Sequence, residues 1–222
     1  MKHLTLILTL LSLMLLGSCS GIKYLTVETR EPAQVTLPSE VLSIAIVNNV
    51  VEQPEDIGHT IQKIGQSTSD KTKASSDSMA FIYTEALAQF LEEEDYFHRI
   101  HFVSEGLRKD NIFFSEVPLS PEKMNEIRRE TAVQAVVSLD KLILETHVKE
   151  HYRQQGYSYS QLTGIIISNI RVYLPTMEGK IPVVQFSDSL KWEGFDIRDE
   201  KAYAELMLPS REEAMKELVV RA

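Results

Sequence analysis

The stretch Ser43-Ile44-Ala45-Ile46-Val47 constrains the fold of this chain more than any other, because it is apolar without alternation. A strand with one wet face alternates apolar and polar residues. A short unbroken apolar run, closed here by Asn48-Asn49, is buried on both faces. It predicts a central strand of an α/β sheet, which helices must cover.

The flanking pattern supplies such helices. Ile82/Tyr83, Ala86/Leu87 and Phe90/Leu91 recur at three-to-four spacing and make one apolar stripe, with Ser76 or Asp77 as the expected cap. Glu92-Glu93-Glu94-Asp95 closes that helix with carboxylates, which oppose its dipole, so packing has to hold it. Ser120-Pro121-Glu122 opens a second helix with proline at the first helical position, running to about Glu130. His98–Val103, Ala135–Leu144, Leu162–Leu174 and Ile181–Trp192 read as strands, the last two as a hairpin across Pro175–Gly179. Apolar content falls away from Glu52 to Ser76, and Ser67–Ser78 is too polar to bury and reads as a solvated loop. Ser210 and Glu213 form a capping-box pattern ahead of Ala214, Met215, Leu218 and Val219. That helix either packs as a terminal element or belongs to a longer protein.

The expected fold is α/β (α+β): a mixed sheet with a strand-helix-strand-helix-strand core, then antiparallel hairpin strands, with helices on the sheet. The expected organisation is a signal segment over 1–18, an extended segment over 19–40, the α/β domain over 41–195 and a helical segment over 196–222.

The amino terminus points to a membrane address. Lys2 precedes an apolar stretch from Leu4 to Leu16, about 13 residues and short of the roughly 20 a spanning helix needs. It ends in Leu16-Gly17-Ser18-Cys19, which holds the only cysteine. This resembles the lipobox of bacterial lipoproteins. The resemblance implies cleavage between Ser18 and Cys19, a diacylglycerol on the Cys19 sulfur and a further acyl chain on its amine, and two or more chains anchor stably. Ser20 rather than aspartate after the cysteine implies export past the inner membrane, and with no acidic cluster of a surface-export tag after Cys19 the expected place is the periplasmic face of the outer membrane. The processed chain then contains no free thiol and no disulfide, so a hydrophobic core must carry its stability.

Pro32–Asn49 and Ala132–Leu142 (AVQAVVSLDKL) resemble an uncharacterised family of Bacteroidota-type envelope lipoproteins classed as a domain of unknown function. The element order is more distantly similar to the amino-terminal domain of TolB and to curli-secretion lipoproteins. These resemblances imply partner binding or envelope assembly, with no catalytic residues to carry over.

The net charge of −9 becomes −10 without Lys2, and no basic stripe interleaves with aromatics, which disfavours nucleic acid. It also leaves the membrane contact to the lipid anchor. No cofactor is expected beyond the covalent lipid, and the expected partner is an envelope protein.

Three constellations compete with a binding role. His147-Val148-Lys149-Glu150-His151 matches the H-x-x-E-H form of inverted zinc peptidases, so a zinc-dependent hydrolase using His147, Glu150 and His151 is the rival reading. If the apolar strand before it continues, the two histidines lie ~13 Å apart at ~3.3 Å per residue and cannot share one zinc. His98 and His101 fall on opposite faces of a strand, one at the surface and one half-buried. Glu92–Asp95 diverge on a helix and lack the loop of a calcium cage. Tyr152, Tyr157 and Tyr159, around a Gln/Gly/Ser turn, read as a loop contact surface, which also admits a glycan-binding lipoprotein. Trp192 alternates with Leu190 and reads as core.

Overall fold

The computed structural model describes residues 36–153, 157–174, 183–196 and 201–222. The chain divides into two units, Met1–Ala33 and Gln34–Ala222, and every described element belongs to the second. The lipobox lies outside the described residues, as does the Pro175–Gly179 loop.

Seven strands form one mixed sheet: β1 (Ser43–Asn48), β2 (His59–Gln62), β3 (Asp70–Lys71), β4 (Arg99–Gly106), β5 (Ala135–Arg153), β6 (Tyr157–Tyr173) and β7 (Val183–Asp196). The described helices are α1 (Met79–Glu93), α2 (Pro121–Thr131), α3 (Lys201–Leu206) and α4 (Arg211–Arg221). The α+β expectation holds. β1 runs parallel to both β4 and β5, with α1 connecting β1 to β4 by way of β2 and β3, and α2 connecting β4 to β5. β5, β6 and β7 continue as an antiparallel meander.

The unalternating run of β1 has the expected cause. Ile44 and Ile46 pack with Leu87, Ala88 and Leu91 of α1 on one face, while Ala45 and Val47 pack with Met124 and Ile127 of α2 on the other. All four are fully buried, and each isoleucine contributes roughly 1.5–3 kcal/mol. α4 joins the α1 face: Met215, Leu218 and Val219 meet Tyr83, Leu139, Leu144 and Ile166. Its capping box is formed, with Glu213 N–H donating to Ser210 Oγ and Ser210 N–H to Glu213 Oε2. α2 is capped as expected, Lys123 N–H donating to Ser120 Oγ at 3.2 Å.

β5 organises the sheet. It is 19 residues long and keeps β6 along one edge, but its other edge is shared end to end by two short strands. β1 pairs with it from Ala135 to Leu139 and β2 from Thr146 to Lys149. The bulge between Leu139 and Lys141 resets the alternation, so Leu139 and Leu142 face the same core although three residues apart.

Four expectations need correction. The apolar-poor stretch from Glu52 contains β2 and the expected solvated loop Ser67–Ser78 contains β3, because the free edge of β5 recruits a short strand. α1 is capped neither by Ser76 nor by Asp77: Ser78 is the N-cap at φ 64° and makes no side-chain cap, since Ser76 Oγ donates to the Gln53 carbonyl instead. His98 and His101 are both exposed, because β4 is the sheet edge. Tyr152, Tyr157 and Tyr159 stand on strands rather than a loop, in register pairs Tyr152–Ser158, Arg153–Tyr157 and His151–Tyr159.

Candidate functional site

Between Leu139 and Thr146 the edge of β5 has no strand beside it, yet its backbone is buried and needs partners. Gln53 supplies them. Its Nε2 donates to the Leu144 carbonyl at 2.7 Å and to the Ile57 carbonyl at 2.8 Å, and Leu144 N–H donates to its Oε1 at 2.8 Å. One carboxamide thus stands in for a missing ladder pair. Gly58 closes the turn at φ 85°, where a Cβ would lie 2.8 Å from the Leu144 oxygen.

The gap opens into a cleft of about 530 Å³. Leu142 and Leu144 line it from the sheet, Val50–Pro54 from the segment after β1, Ser78–Phe81 from the start of α1, and Arg108–Asn111 from the loop after β4. It therefore lies outside the carboxyl ends of the parallel strands β1 and β4, where open α/β sheets bind ligands.

The two ends of the loop after β4 are held separately. Arg108 grips Asp110 through both carboxylate oxygens at 2.9 and 2.6 Å and donates to the Ile112 and Ser115 carbonyls. Hydrogen bonds from Arg108 and then from Ile112 N–H hold the Asp110 carboxyl at about 2. At the far end, buried Asp140 on the β5 bulge accepts from Asn49 Nδ2 at 2.8 Å, Ser138 Oγ at 2.6 Å and Arg171 Nη1 at 2.5 Å. Arg171 reaches Glu116 at 3.1 Å, and Glu116 also accepts from Asn169 at 2.6 Å. Asn49 Nδ2 donates to the Val117 carbonyl, and Leu119 N–H to Tyr173 Oη. Burial, then the Asp140 charge, raises the Tyr173 phenol to about 12. Its hydroxyl thus stays protonated and serves as a bonding group, not a base.

Charge at the cleft is mixed. Glu52 lines it, and a hydrogen bond to Asp77, then burial, raises its carboxyl above the usual range. Lys109 and Asp110 stand on the loop opposite.

The sequence-derived candidates lie elsewhere. His147 and His151 are both on β5, so they are extended, not helical. His147 Nδ1 bonds Thr60 Oγ1 at 2.9 Å and its Nε2 meets Glu145 at 3.3 Å, whereas Glu150 accepts from Ile64 N–H and the His151 ring tilts against Tyr159 at 5.0 Å. The three side chains serve different partners. No cluster of three His, Cys, Asp or Glu suited to a metal occurs among the described residues. Tyr159 donates to Glu193 at 2.6 Å and packs on Phe195, while the Tyr152 and Tyr157 side chains lie outside the described residues. Trp192 is half-buried and donates to Glu217. The cleft escaped sequence reading; the one local signal nearby, Ser138 and Asp140 within the apolar start of β5, marks the buried network that holds the far end of the loop after β4.

Beside the cleft segment, His59 is a second buried polar feature. It is 1% exposed, its Nδ1 shares a 2.8 Å hydrogen bond with Thr146 Oγ1, and its Nε2 has no partner among the described residues. Arg211 donates to the same hydroxyl at 2.8 Å. Burial, then Arg211, lowers the His59 pKa; His147 adds to this, and Glu212 and Glu145 oppose it. The unfolded chain takes up this proton near 6.5 and the folded ring only at lower pH, so this contribution is intact above about 6.5 and is lost below it. The urea midpoint is expected to fall between about pH 7 and pH 5. Part of that fall should disappear in His59→Gln; an identical pH profile in that variant would exclude this histidine as the cause.

No curated protein matches the chain. Among solved structures, a Helicobacter pylori protein described as a neuraminyllactose-binding hemagglutinin homologue matches with a TM-score of 0.34 at 11% identity, over 87% of this chain and 86% of that one. A family profile described as Domain of unknown function (DUF8603) matches residues 41–222, from the segment before β1 through α4, so the chain belongs to that family.

Proposed function

We propose that this chain is a lipid-anchored envelope protein of the outer membrane, tethered through Cys19, whose folded body binds a ligand or partner segment in the cleft between β1, α1 and the loop after β4. The observation that carries the binding role is the cleft itself. Its volume of about 530 Å³ falls within the 300–1,000 Å³ range common to ligand sites. Its walls come from separate segments held by hydrogen bonds, buried ones at Gln53 and exposed ones from Arg108 within the loop after β4, and such preorganisation lowers the cost of binding. Polar groups of both signs at the rim and apolar Leu142, Leu144 and Met79 within suit an amphipathic ligand held without covalent chemistry.

The lipobox residues Leu16–Cys19 support the anchor, and the acidic net charge of −9 supports a partner other than nucleic acid. A photoreactive residue placed at Lys109, on the cleft, should give a discrete adduct in cells, while one at Glu130, exposed on α2, should not. Filling the cleft by Ala80→Trp should abolish the Lys109 adduct. Equal adducts at both positions, or an adduct indifferent to Ala80→Trp, would remove the cleft from the function.

A further inference from the structure

A second concavity lies away from the cleft, between α1 and α4. It has a volume of about 320 Å³ and is lined by Tyr83, Ala86, Leu87 and Phe90 of α1 with Val219 and Val220 of α4, and the cation that also lines it, Arg221, is paired with Glu217 at 3.3 Å. Phe90 and Val220 are each 55% exposed, which is unusual for large apolar side chains flanking one groove. Tyr83 is fixed from below by a 2.9 Å hydrogen bond to Ser168 on β6, so the groove has a rigid floor.

Its electrostatics identify the occupant. On α1 the stripe Ala86–Phe90 continues at three-to-four spacing to Glu93 and Glu94, so the apolar groove runs out onto carboxylates. Glu92, Glu93, Glu94 and Asp95 are all exposed, and none is ion-paired among the described residues. The last turn of α1 holds no basic residue. The negative end of the helix dipole therefore meets like charge, a local arrangement that costs stability and that a cation docked there would relieve.

We propose that this groove docks an amphipathic helix of a partner protein, its apolar face against Phe90, Leu87 and Val220 and its lysines or arginines at the Glu92–Asp95 end. A second copy of this chain is a poor occupant, since each copy carries a net charge of −9 and the same acidic end. The geometry is that of helix-in-groove recognition, with apolar anchors setting affinity and end charges setting orientation.

The test uses the full chain in zwitterionic nanodiscs, with a photoreactive residue at Val220. The probes are two helical peptides of about 18 residues, about five turns each. Both carry a leucine face; one has a lysine-rich end and the other a glutamate-rich end. The lysine peptide is expected to crosslink saturably and the glutamate peptide weakly. Phe90→Asp should raise the half-saturating lysine-peptide concentration about tenfold, and Glu93→Lys with Glu94→Lys should reverse the preference between peptides. Diffuse attraction to an acidic protein would instead leave the lysine peptide bound as well or better in Phe90→Asp, and that result overturns the groove. Crosslinks joining two copies in place of peptide would overturn the proposed occupant.

Discussion

Asp140→Ala is expected to lower the stability of the folded unit by roughly 3–5 kcal/mol, the cost of stranding one partner of a buried ion pair. The Asp140 side chain has no exposure and that of Arg171 is 15% exposed, and the guanidinium is left with Glu116 as its one remaining carboxylate among the described residues. The same change frees Asn49 and Ser138, both buried. Urea denaturation measures the loss. If the cost is the stranded guanidinium rather than the pair's own attraction, adding Arg171→Met should recover a large part of it. A double variant as unstable as Asp140→Ala alone would show that the pair itself is the stabilising element. Because Glu116, Val117 and Leu119 are tied to this network, the loop after β4 should also lose hydrogen-exchange protection, while α4 should not.

Gln53→Leu is expected to cost a similar amount, about 3–5 kcal/mol, for a different reason. Leucine has comparable size, so little packing is lost. The Leu144 N–H and carbonyl and the Ile57 carbonyl are left without the carboxamide in a buried setting. Each unsatisfied group costs about 1–3 kcal/mol. Gln53→Glu is the informative companion: a carboxylate still accepts from Leu144 N–H but cannot donate to either carbonyl, so it should be no better than leucine. Near-wild-type denaturation midpoints in both variants would mean that water fills the strand gap and that the floor of the cleft is not built by Gln53.

The elements legible in the sequence were those whose cause is local. The β1 run, the Ser120-Pro121 start of α2 and the Ser210/Glu213 capping box each carry their instruction within a few residues. Ala214, Met215, Leu218 and Val219 were readable as the inner face of α4 for the same reason, and all are buried. β2 was not legible, because His59–Gln62 has no strand pattern of its own and pairs only since β5 outruns β1. The start of α1 misled for a related reason: Ser76 looks like a cap until Gln53, distant in sequence, claims its hydroxyl. The cleft was invisible because it is made by an absence along β5, filled by a glutamine 91 residues away. The motif that stood out in sequence, His147–His151, was visible only as letters. On a strand, the same spacing that would gather two histidines on a helix holds them apart.

Intact mass spectrometry of the protein taken from its own envelope addresses both halves of the proposed role at once. Under denaturing conditions the chain should begin at Cys19 and carry the mass of its acyl chains. Under native conditions wild type should carry a further bound mass that Ala80→Trp lacks. A native mass equal to that of the acylated chain alone, in wild type and variant alike, would contradict a binding role for the cleft, and an unmodified Cys19 would contradict the anchor.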